Sequence, residues 1–277
     1  MQKVIINADD LGISESVNLE IKKFIELKVI SSATILANGS AVDSIGEIVD
    51  NNPQISFGVH LNLDEFEPLM NSPVLTKAGF INENGFVKGH IHKADLSSKE
   101  IINSIYEELY AQVQKIANMG IHISHLDSHH HFHVRKELSG ILIELSKQFN
   151  IIKIRRPILY TPYYLSALRT NNSTNPASLI NHNSPKNRNM IDKVIYYSQD
   201  YYRKMRWISS MKTTFKMTEG FYSYKPFTIY AKKRGNMKIL EIMCHPGHPK
   251  YKEESDLIER NVLKEIFDYE LISYAEL

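Results

Sequence analysis

The stretch VIINADDLGIS at residues 4–14 passes from a short apolar run through a polar turn to the start of a helix. Val4 to Ile6 predicts a buried strand, Ser14 is a typical helix N-cap, and the apolar residues that follow it recur at helical spacing. Strand and helix patterns of this kind alternate through the first 155 residues and again near the C-terminus. The alternation predicts right-handed βαβ units and therefore an α/β fold with a parallel sheet, either barrel-like or open.

The remaining elements are predicted in the same way, strands from short apolar runs and helices from apolar residues that recur at helical spacing. Strands are predicted at 33–36, 55–61, 121–126, 151–154, 239–243 and 271–274. Helices are predicted at 41–50, from a capping box at 97–100 to Gly120, at 135–149, at 191–205 and at 253–268. Residues 64–96 are expected to form a long loop. The alternation of strand and helix patterns is interrupted at 160–237. We interpret this range as a variable, basic, Tyr-rich insertion within a single domain that spans residues 1–277.

The composition excludes several classes of protein. The chain has 277 residues, of which 43% are hydrophobic and 23% are charged, as in an ordinary soluble globular protein. No apolar run approaches the roughly 20 residues of a membrane span, and the N-terminus lacks the pattern of a secretory signal. Cys244 is the single cysteine and cannot form an internal disulfide. A cytoplasmic protein is therefore expected.

The net charge of +2 hides a strong segregation of charge along the chain. Residues 147–238 carry 18 Lys and Arg against 3 acidic residues, a balance of +15, whereas the rest of the chain has a balance of −13. Ten of the fifteen tyrosines lie between Tyr160 and Tyr230. One hypothesis is a surface of aromatic and basic side chains that binds a polyanionic saccharide or a lipid-linked, phosphate-bearing sugar. The interpretation we favour is a solvated face combined with an interface, which would allow a homodimer.

Polar residues follow four predicted strands at the points where those strands end. The polar groups concerned are Asn7, Asp9 and Asp10; His60; Asp127, His129, His131 and His133; and His245 and His248. In parallel α/β folds the carboxyl ends of the strands share one rim, and ligands bind there. The pattern therefore predicts one site built from four strands.

Taken alone, most of these features have a structural explanation. Asp9-Asp10 could start a helix, His60 could be a hydrogen-bonded core histidine, and His245-Pro246-Gly247 could be a turn. The run His125 to His133 is different, because packing does not require five histidines and an aspartate within nine residues. Metal binding or acid–base chemistry explains it better. Two aspartates, His60, the histidine run and His245 would together furnish a mononuclear metal hydrolase.

Four blocks of the sequence resemble the signature motifs of the YdjC-like carbohydrate deacetylases, which include chitooligosaccharide deacetylases. They are NADDLGIS at 7–14, GVHLNL at 58–63, HLDSHHH at 125–131 and HPG at 245–247. Arg155-Arg156-Pro157 and Glu259-Arg260 match weaker family features. The resemblance covers roughly residues 1–157 and 238–277.

The resemblance implies a distorted (β/α) barrel of the glycoside hydrolase/deacetylase type. It also implies that Asp10, His60 and His129 hold a divalent metal, which in this family is generally Mg²⁺. Two imidazoles and one carboxylate would on ligand softness suit Zn²⁺ or another transition metal better, so the identity of the metal stays open.

The implied reaction is removal of the acetyl group from an N-acetylated amino sugar or oligosaccharide by metal-activated water. Asp9 would be the general base and His245 the general acid, while His131 and Arg156 would line the sugar site. Two other functions stay open at this point. One is a metal-dependent hydrolase of another bond, such as a phosphoester or a different amide. The other is a polyanion-binding module on a deacetylase-like scaffold, although nucleic acid is an unlikely partner for a chain that keeps all four blocks.

Overall fold

The structure, a computed structural model, describes residues 1–87, 91–159, 190–231 and 236–277. Seven strands in these ranges form one sheet, and every pairing between them is parallel. The strands are β1 Gln2–Leu11, β2 Ser32–Ile35, β3 Ser56–Leu61, β4 Leu126–Ser128, β5 Gly220–Ser223, β6 Ile239–Cys244 and β7 Tyr269–Leu271. The predicted parallel α/β architecture is confirmed.

The sheet curls into a distorted barrel. Its order is β4-β3-β2-β1-β6-β5, with β7 paired to the first residues of β1. Residues 152–155 connect the two ends of this path. Leu126 in β4 donates to the carbonyl of Lys153, and Ile154 in turn donates to the carbonyl of Lys216, four residues before β5. Parallel hydrogen bonding therefore continues around the whole circumference, although the segments at the closure are too short to count as regular strands.

Helices cover the outside of the barrel and return the chain between strands. They are α1 Glu15–Glu26, α2 Gly46–Asp50, α3 Pro73–Lys77, α4 Lys99–Asn118, α5 Ser139–Phe149, α6 Met190–Met211, α7 Tyr224–Tyr230, α8 Lys252–Glu259 and α9 Val262–Ile266. The predicted N-cap is confirmed, because the Ser14 side chain accepts a hydrogen bond from the Val17 N–H. Among the described ranges, none of these helices is both long enough and apolar enough to cross a membrane.

Several predicted boundaries are wrong, each for a local reason. The strand predicted at 121–126 forms only at 126–128, where the partner strand β3 ends. The helix predicted at 253–268 is broken at Asn261, whose backbone is left-handed at φ 51° and which separates α8 from α9. Ser98 is the N-cap of α4 but makes no side-chain cap, so the predicted capping box is absent there. The last strand lies at 269–271 rather than 271–274.

Part of the 160–237 range belongs to the barrel itself. Residues 160–189 and 232–235 lie outside the described residues, but β5 pairs with β6 from Gly220↔Leu240 to Ser223↔Met243. The residues of this strand show no alternation strong enough to predict it. The variable insertion stays a prediction for the remainder of the range.

Three buried residues of the barrel pack in a column. The His125 ring lies parallel to the Tyr274 ring, with centroids 3.5 Å apart and an interplanar angle of 10°. On its other side His125 covers the backbone of Gly58 in β3, and both aromatic residues are fully buried. The column joins β3, the segment before β4 and the C-terminus.

Substitution of Gly58 by alanine should destabilise the protein. A Cβ at this position would lie 2.6 Å from His125 Cε1 and 2.7 Å from its Nδ1, and Tyr274 prevents the ring from moving away. We expect Gly58→Ala to lower the free energy of unfolding by about 1–3 kcal/mol, as overpacked core substitutions do. Gly140→Ala in α5 is the matched control, since beyond its two chain neighbours and the nearby backbone of its own helix no described atom lies within 4 Å of the added methyl group. Its unfolding free energy in urea should stay unchanged or rise by up to about 1 kcal/mol. Equal effects of the two substitutions would contradict the column.

Candidate active site

Polar residues from all four strand ends line one cavity of about 990 Å³, although Asn7, Asp127 and His133 are not among the residues that line it. Asp9 and Asp10 reach it from β1, His60 from β3, His129 from the turn after β4, and His245 from the end of β6. The parallel strands all present their carboxyl ends to this side of the barrel, which explains why residues so distant in sequence meet.

Two successive aspartates reach the same cavity because β1 is irregular where they lie. Neighbouring side chains of a regular strand point to opposite faces. Here the pairing register between β1 and β2 shifts between Ala8 and Leu11, and the backbone of Asp10 is left-handed at φ 71°. This bulge turns both carboxylates inward. Both are almost fully buried.

Asp10, His60 and His129 form a compact group of potential metal ligands. His60 Nε2 lies 3.3 Å and His129 Nδ1 lies 3.0 Å from the same oxygen, Asp10 Oδ1. One ligand atom from each residue lies within 4.8 Å of the others, and all three residues are buried. Two imidazole nitrogens and a carboxylate oxygen are a donor set that divalent cations use in hydrolases. The group could therefore hold a divalent metal ion.

The orientation of His60 is fixed from behind by Asp127. Asp127 Oδ1 lies 2.7 Å from His60 Nδ1, which leaves Nε2 directed at Asp10. A carboxylate on the second ring nitrogen is the usual support for a metal-binding histidine. Burial opposes the charged form of His60, but the carboxylates of Asp127 and Asp10 overcome it and raise its pKa to about 9.

Two further groups in the described residues satisfy the same distance criterion. They are Glu65–His129–His130 and Asp9–His60–Asp127. In the second, the guanidinium of Arg155 already neutralises both carboxylates. In the first, about half of the Glu65 side chain is exposed, and its oxygen lies 3.8 Å from His129 Nε2. The group around Asp10 is thus the best candidate for a metal site.

Arg155 holds Asp9 in place. Its Nη1 and Nη2 donate to the two oxygens of Asp9, each at 2.7 Å, and Asn7 Nδ2 adds a third hydrogen bond at 2.9 Å. Burial would raise the pKa of Asp9, but Arg155 keeps it well below the usual range. Asp9 is therefore an ionised carboxylate that cannot rotate freely.

The same guanidinium contacts two more carboxylates. Arg155 Nη1 lies 2.6 Å from Asp127 Oδ2, and Arg155 Nε donates to Glu241 Oε1 at 2.7 Å. Glu241 lies in β6 and also accepts a hydrogen bond from Tyr274. Burial raises the pKa of Glu241 to about 7, against the opposing effect of Arg155. One buried cation thus contacts three acidic groups, and of these Glu241 has a raised pKa whereas Asp9 has a lowered one.

His245 has its own acidic partner. Glu254 Oε1 accepts a hydrogen bond from the backbone N–H of His245 at 2.8 Å and lies 3.4 Å from its Nδ1. The Tyr251 ring stacks on the imidazole at 4.4 Å and 19°. Burial lowers the pKa of His245, but Glu254 more than compensates and the net shift is upward. The imidazole is therefore prepared to carry a proton.

The histidine run divides between the cavity and the core. His129, His130 and His131 line the cavity, and His131 Nδ1 is buried with no hydrogen-bond partner within the described part of the chain. His125 lies in the column with Tyr274. His133 is buried between Ser128 and the carbonyl of Arg155, and burial lowers its pKa to about 3. Packing thus does use some of the histidines that the sequence analysis assigned to chemistry.

The two neighbouring arginines have different environments. Arg155, which the sequence analysis treated only as part of a weak motif, is fully buried among the acidic groups. Arg156, expected at the sugar site, is not among the described residues that line the cavity, and its Nη1 lies 3.5 Å from the Thr218 carbonyl. A lone carboxylate within an apolar strand, such as Glu241 in ILEIMC, is a signal that a buried partner exists, but the sequence alone does not identify that partner.

Comparison with known proteins adds three findings. A family model described as YdjC-like protein matches residues 3–271. A carbohydrate deacetylase of Vibrio campbellii is 33% identical over 151 residues, which cover 54% of this chain and 57% of the relative. A carbohydrate deacetylase of Clostridium beijerinckii is 25% identical over 295 residues, which cover 99% of this chain and 100% of the relative. The alignment with the Vibrio protein thus spans little more than half of that relative's length.

A solved structure from Enterococcus faecalis V583, described as a candidate cellobiose-phosphate cleavage protein, is similar over its whole length. The TM-score is 0.68 at 17% sequence identity, with 99% of this chain and 98% of that chain covered. At this identity the similarity concerns the fold alone, and it supports the distorted (β/α) barrel.

The protonation of Glu241 should be visible in the pH dependence of stability. Its pKa rises from 4.5 to about 7 on folding, so the stability gained from its bound proton is present at low pH and is lost as the pH rises through 7. Glu241→Gln keeps the shape of the side chain but replaces the carboxyl group with an amide that does not titrate. Relative to the wild type, its unfolding free energy should increase by about 1–3 kcal/mol between pH 5 and pH 8. Glu270→Gln, at an exposed position in β7, is the control for the removal of one carboxylate. If the pH-dependent difference for Glu241→Gln is no larger than that for Glu270→Gln, the assignment is contradicted.

Proposed function

Because this chain belongs to the YdjC-like protein family, we propose that it is a metal-dependent hydrolase that removes the acetyl group from N-acetylated amino sugars. The observation that carries the proposal is the meeting, in one cavity, of a three-residue ligand group with an ionised aspartate and a histidine paired to a glutamate. The names of the Vibrio and Clostridium relatives support the same activity.

Asp10, His60 and His129 would hold the metal. A divalent cation bound there would polarise the acetyl carbonyl and make water a better nucleophile. The family resemblance favours Mg²⁺, whereas two imidazoles favour Zn²⁺ or another transition metal. All three residues line the cavity, whose volume of about 990 Å³ has room for water and substrate.

Asp9 is placed to act as general base. It is ionised, buried and held by Arg155, so it can accept the proton that water loses on attacking the acetyl carbon. The two hydrogen bonds from Arg155 also limit its basicity, and the fixed orientation compensates because a well-placed acceptor needs no reorganisation.

His245 is placed to act as general acid. Glu254 stabilises its imidazolium form, and the ring faces the same cavity as Asp9. When the carbon–nitrogen bond breaks, the proton passes from His245 to the departing nitrogen, and the products are acetate and a free amine. Glu254 is a positioning residue in this scheme, since it acts through His245.

The remainder of the cavity suits a saccharide. Its volume of about 990 Å³ lies at the upper end of the usual range for small-molecule sites. Tyr196, Gln199 and Arg203 on α6 line one wall, and such side chains stack on sugar rings or bond to hydroxyl groups. His131 Nδ1, buried without a partner in the described part of the chain, is proposed to accept a hydrogen bond from a sugar hydroxyl.

A substrate screen tests the function directly. Acetate release is measured on neutral and acidic N-acetylated mono- and oligosaccharides after metal removal and after addition of Mg²⁺, Zn²⁺, Mn²⁺ or Co²⁺. We expect release that requires a metal and produces one free amine for each acetate. Hydrolysis of a phosphoester without acetate release would instead support a hydrolase of another bond. Salt-sensitive binding of a polyanion without metal binding would support a binding module.

Two substitutions separate the base from the metal ligands. Asp9→Asn should lower kcat by about 10²–10⁴-fold while the metal content stays that of the wild type, because Asp9 is bound to Arg155 rather than to the ligand group. His60→Ala should lose bound metal, measured by elemental analysis after dialysis, because it removes one of three ligands. Circular dichroism checks that both variants fold. Full metal binding by His60→Ala would show that the ligand set is wrong, and substantial turnover by Asp9→Asn would exclude Asp9 as base.

A further inference from the structure

A series of buried hydrogen bonds connects Tyr274, near the C-terminus, with Asp9. The Tyr274 hydroxyl donates to Glu241 Oε2 at 2.5 Å, and Glu241 Oε1 accepts from Arg155 Nε at 2.7 Å. Arg155 in turn holds both oxygens of Asp9. Neither Tyr274 nor Glu241 is among the described residues that line the cavity. This series of hydrogen bonds therefore reaches Asp9 from the side away from the cavity.

Tyr274 is immobilised at the far end of this series of hydrogen bonds. Its ring is fully buried and stacked on His125, and the Lys153 ammonium group donates to its backbone carbonyl. Its turn is closed by a capping box between Ser273 and Glu276. The next N–H, that of Ala275, donates to Ser56 Oγ at 2.9 Å. The hydroxyl group is thus presented to Glu241 from a fixed frame.

The geometry of Arg155 makes its Nε contact important. A guanidinium is planar, so the direction of the Nε–H bond sets the plane in which all its other N–H groups lie. Nη1 and Nη2 contact Asp9 and Asp127 from that plane. The Phe221 ring lies over the same guanidinium, 4.7 Å from Arg155 Cζ. Within these contacts the Nε bond to Glu241 sets the direction of the plane, and the plane sets the direction of the two hydrogen bonds to Asp9.

We propose that Glu241 and Tyr274 are positioning residues for the general base: together they fix the guanidinium plane of Arg155 and thereby the orientation of the Asp9 carboxylate. The inference rests on the proposed role of Asp9, and it extends the catalytic machinery to the C-terminal segment. Small errors in the direction of a base lower the rate of the chemical step more than they weaken substrate binding. The signature is therefore a loss in kcat with KM and metal content unchanged.

The test compares substitutions at two buried tyrosines and two substitutions at Glu241. Tyr274→Phe removes the hydroxyl that contacts Glu241 but keeps the stacked ring, and should lower kcat by about tenfold with KM unchanged. Tyr269→Phe is the matched control, because it removes a buried hydroxyl that bonds to Asn261 instead. Its kcat should stay within about threefold of the wild type. Glu241→Leu should lower kcat by about 10²-fold, whereas Glu241→Gln, whose amide oxygen still accepts from Arg155, should restore kcat to within about threefold of the wild type.

A second readout does not depend on turnover. In protein labelled with ¹⁵N-arginine, the Arg155 Nε–H should give a signal that is protected from exchange with water, assigned by its loss in Arg155→Lys. Tyr274→Phe and Glu241→Leu should reduce this protection by at least about tenfold, and Tyr269→Phe should not. If Glu241→Leu fails to fold, Tyr274→Phe decides alone.

The outcomes separate this inference from the proposed function. Equal kcat values for Tyr274→Phe and Tyr269→Phe, or unchanged protection of the Arg155 Nε–H in Tyr274→Phe, would overturn it. Absence of acetate release from the wild type would instead refute the proposed function, and the exchange measurement would still show whether Glu241 and Tyr274 immobilise Arg155.

Discussion

The buried guanidinium of Arg155 organises both the fold and the site. It meets one carboxylate from β1, one from β4 and one from β6, and no part of it is exposed to solvent. Charged groups in such an environment must be paired, because each loses the stabilisation that water provides. Arg155 therefore ties three strands of the barrel together. Burial raises the pKa of Glu241 in spite of Arg155, whereas for Asp9 the contacts with Arg155 overcome burial and lower the pKa.

Polar residues from four strand ends line one cavity, as the parallel topology predicts. Parallel strands deliver their last residues to one rim, so Asp10, His60, His129 and His245 could be expected to meet even though their exact separations could not. Periodicity was also sufficient for α1, β1, β3 and β6. The catalytic roles of the four site residues stay predictions until the substitutions are measured.

Other features depend on tertiary contacts that a single sequence does not record. Whether Arg155 or Arg156 points inward depends on how residues 152–155 close the barrel, and this segment has no regular periodicity. His125 and His133 have the same composition signal as His129, yet they fill core space beside Tyr274 and Ser128. Some basic residues of the 147–238 segment are paired with acidic residues, which the charge count alone does not show. Arg203 and Lys204 share Asp200, and Lys225 contacts Glu253.

The left-handed backbone of Asp10 means that the residue at this position must meet two requirements, one of backbone conformation and one of charge. Only glycine, asparagine and aspartate adopt this conformation readily, and of these only aspartate supplies a charged oxygen. Glutamate would keep the charge and oppose the backbone, and asparagine would keep the backbone and lose the charge. Tolerance to substitution at this position would thus report the shape of the strand and the chemistry of the site at once, and a comparison of these two variants would distinguish the two demands.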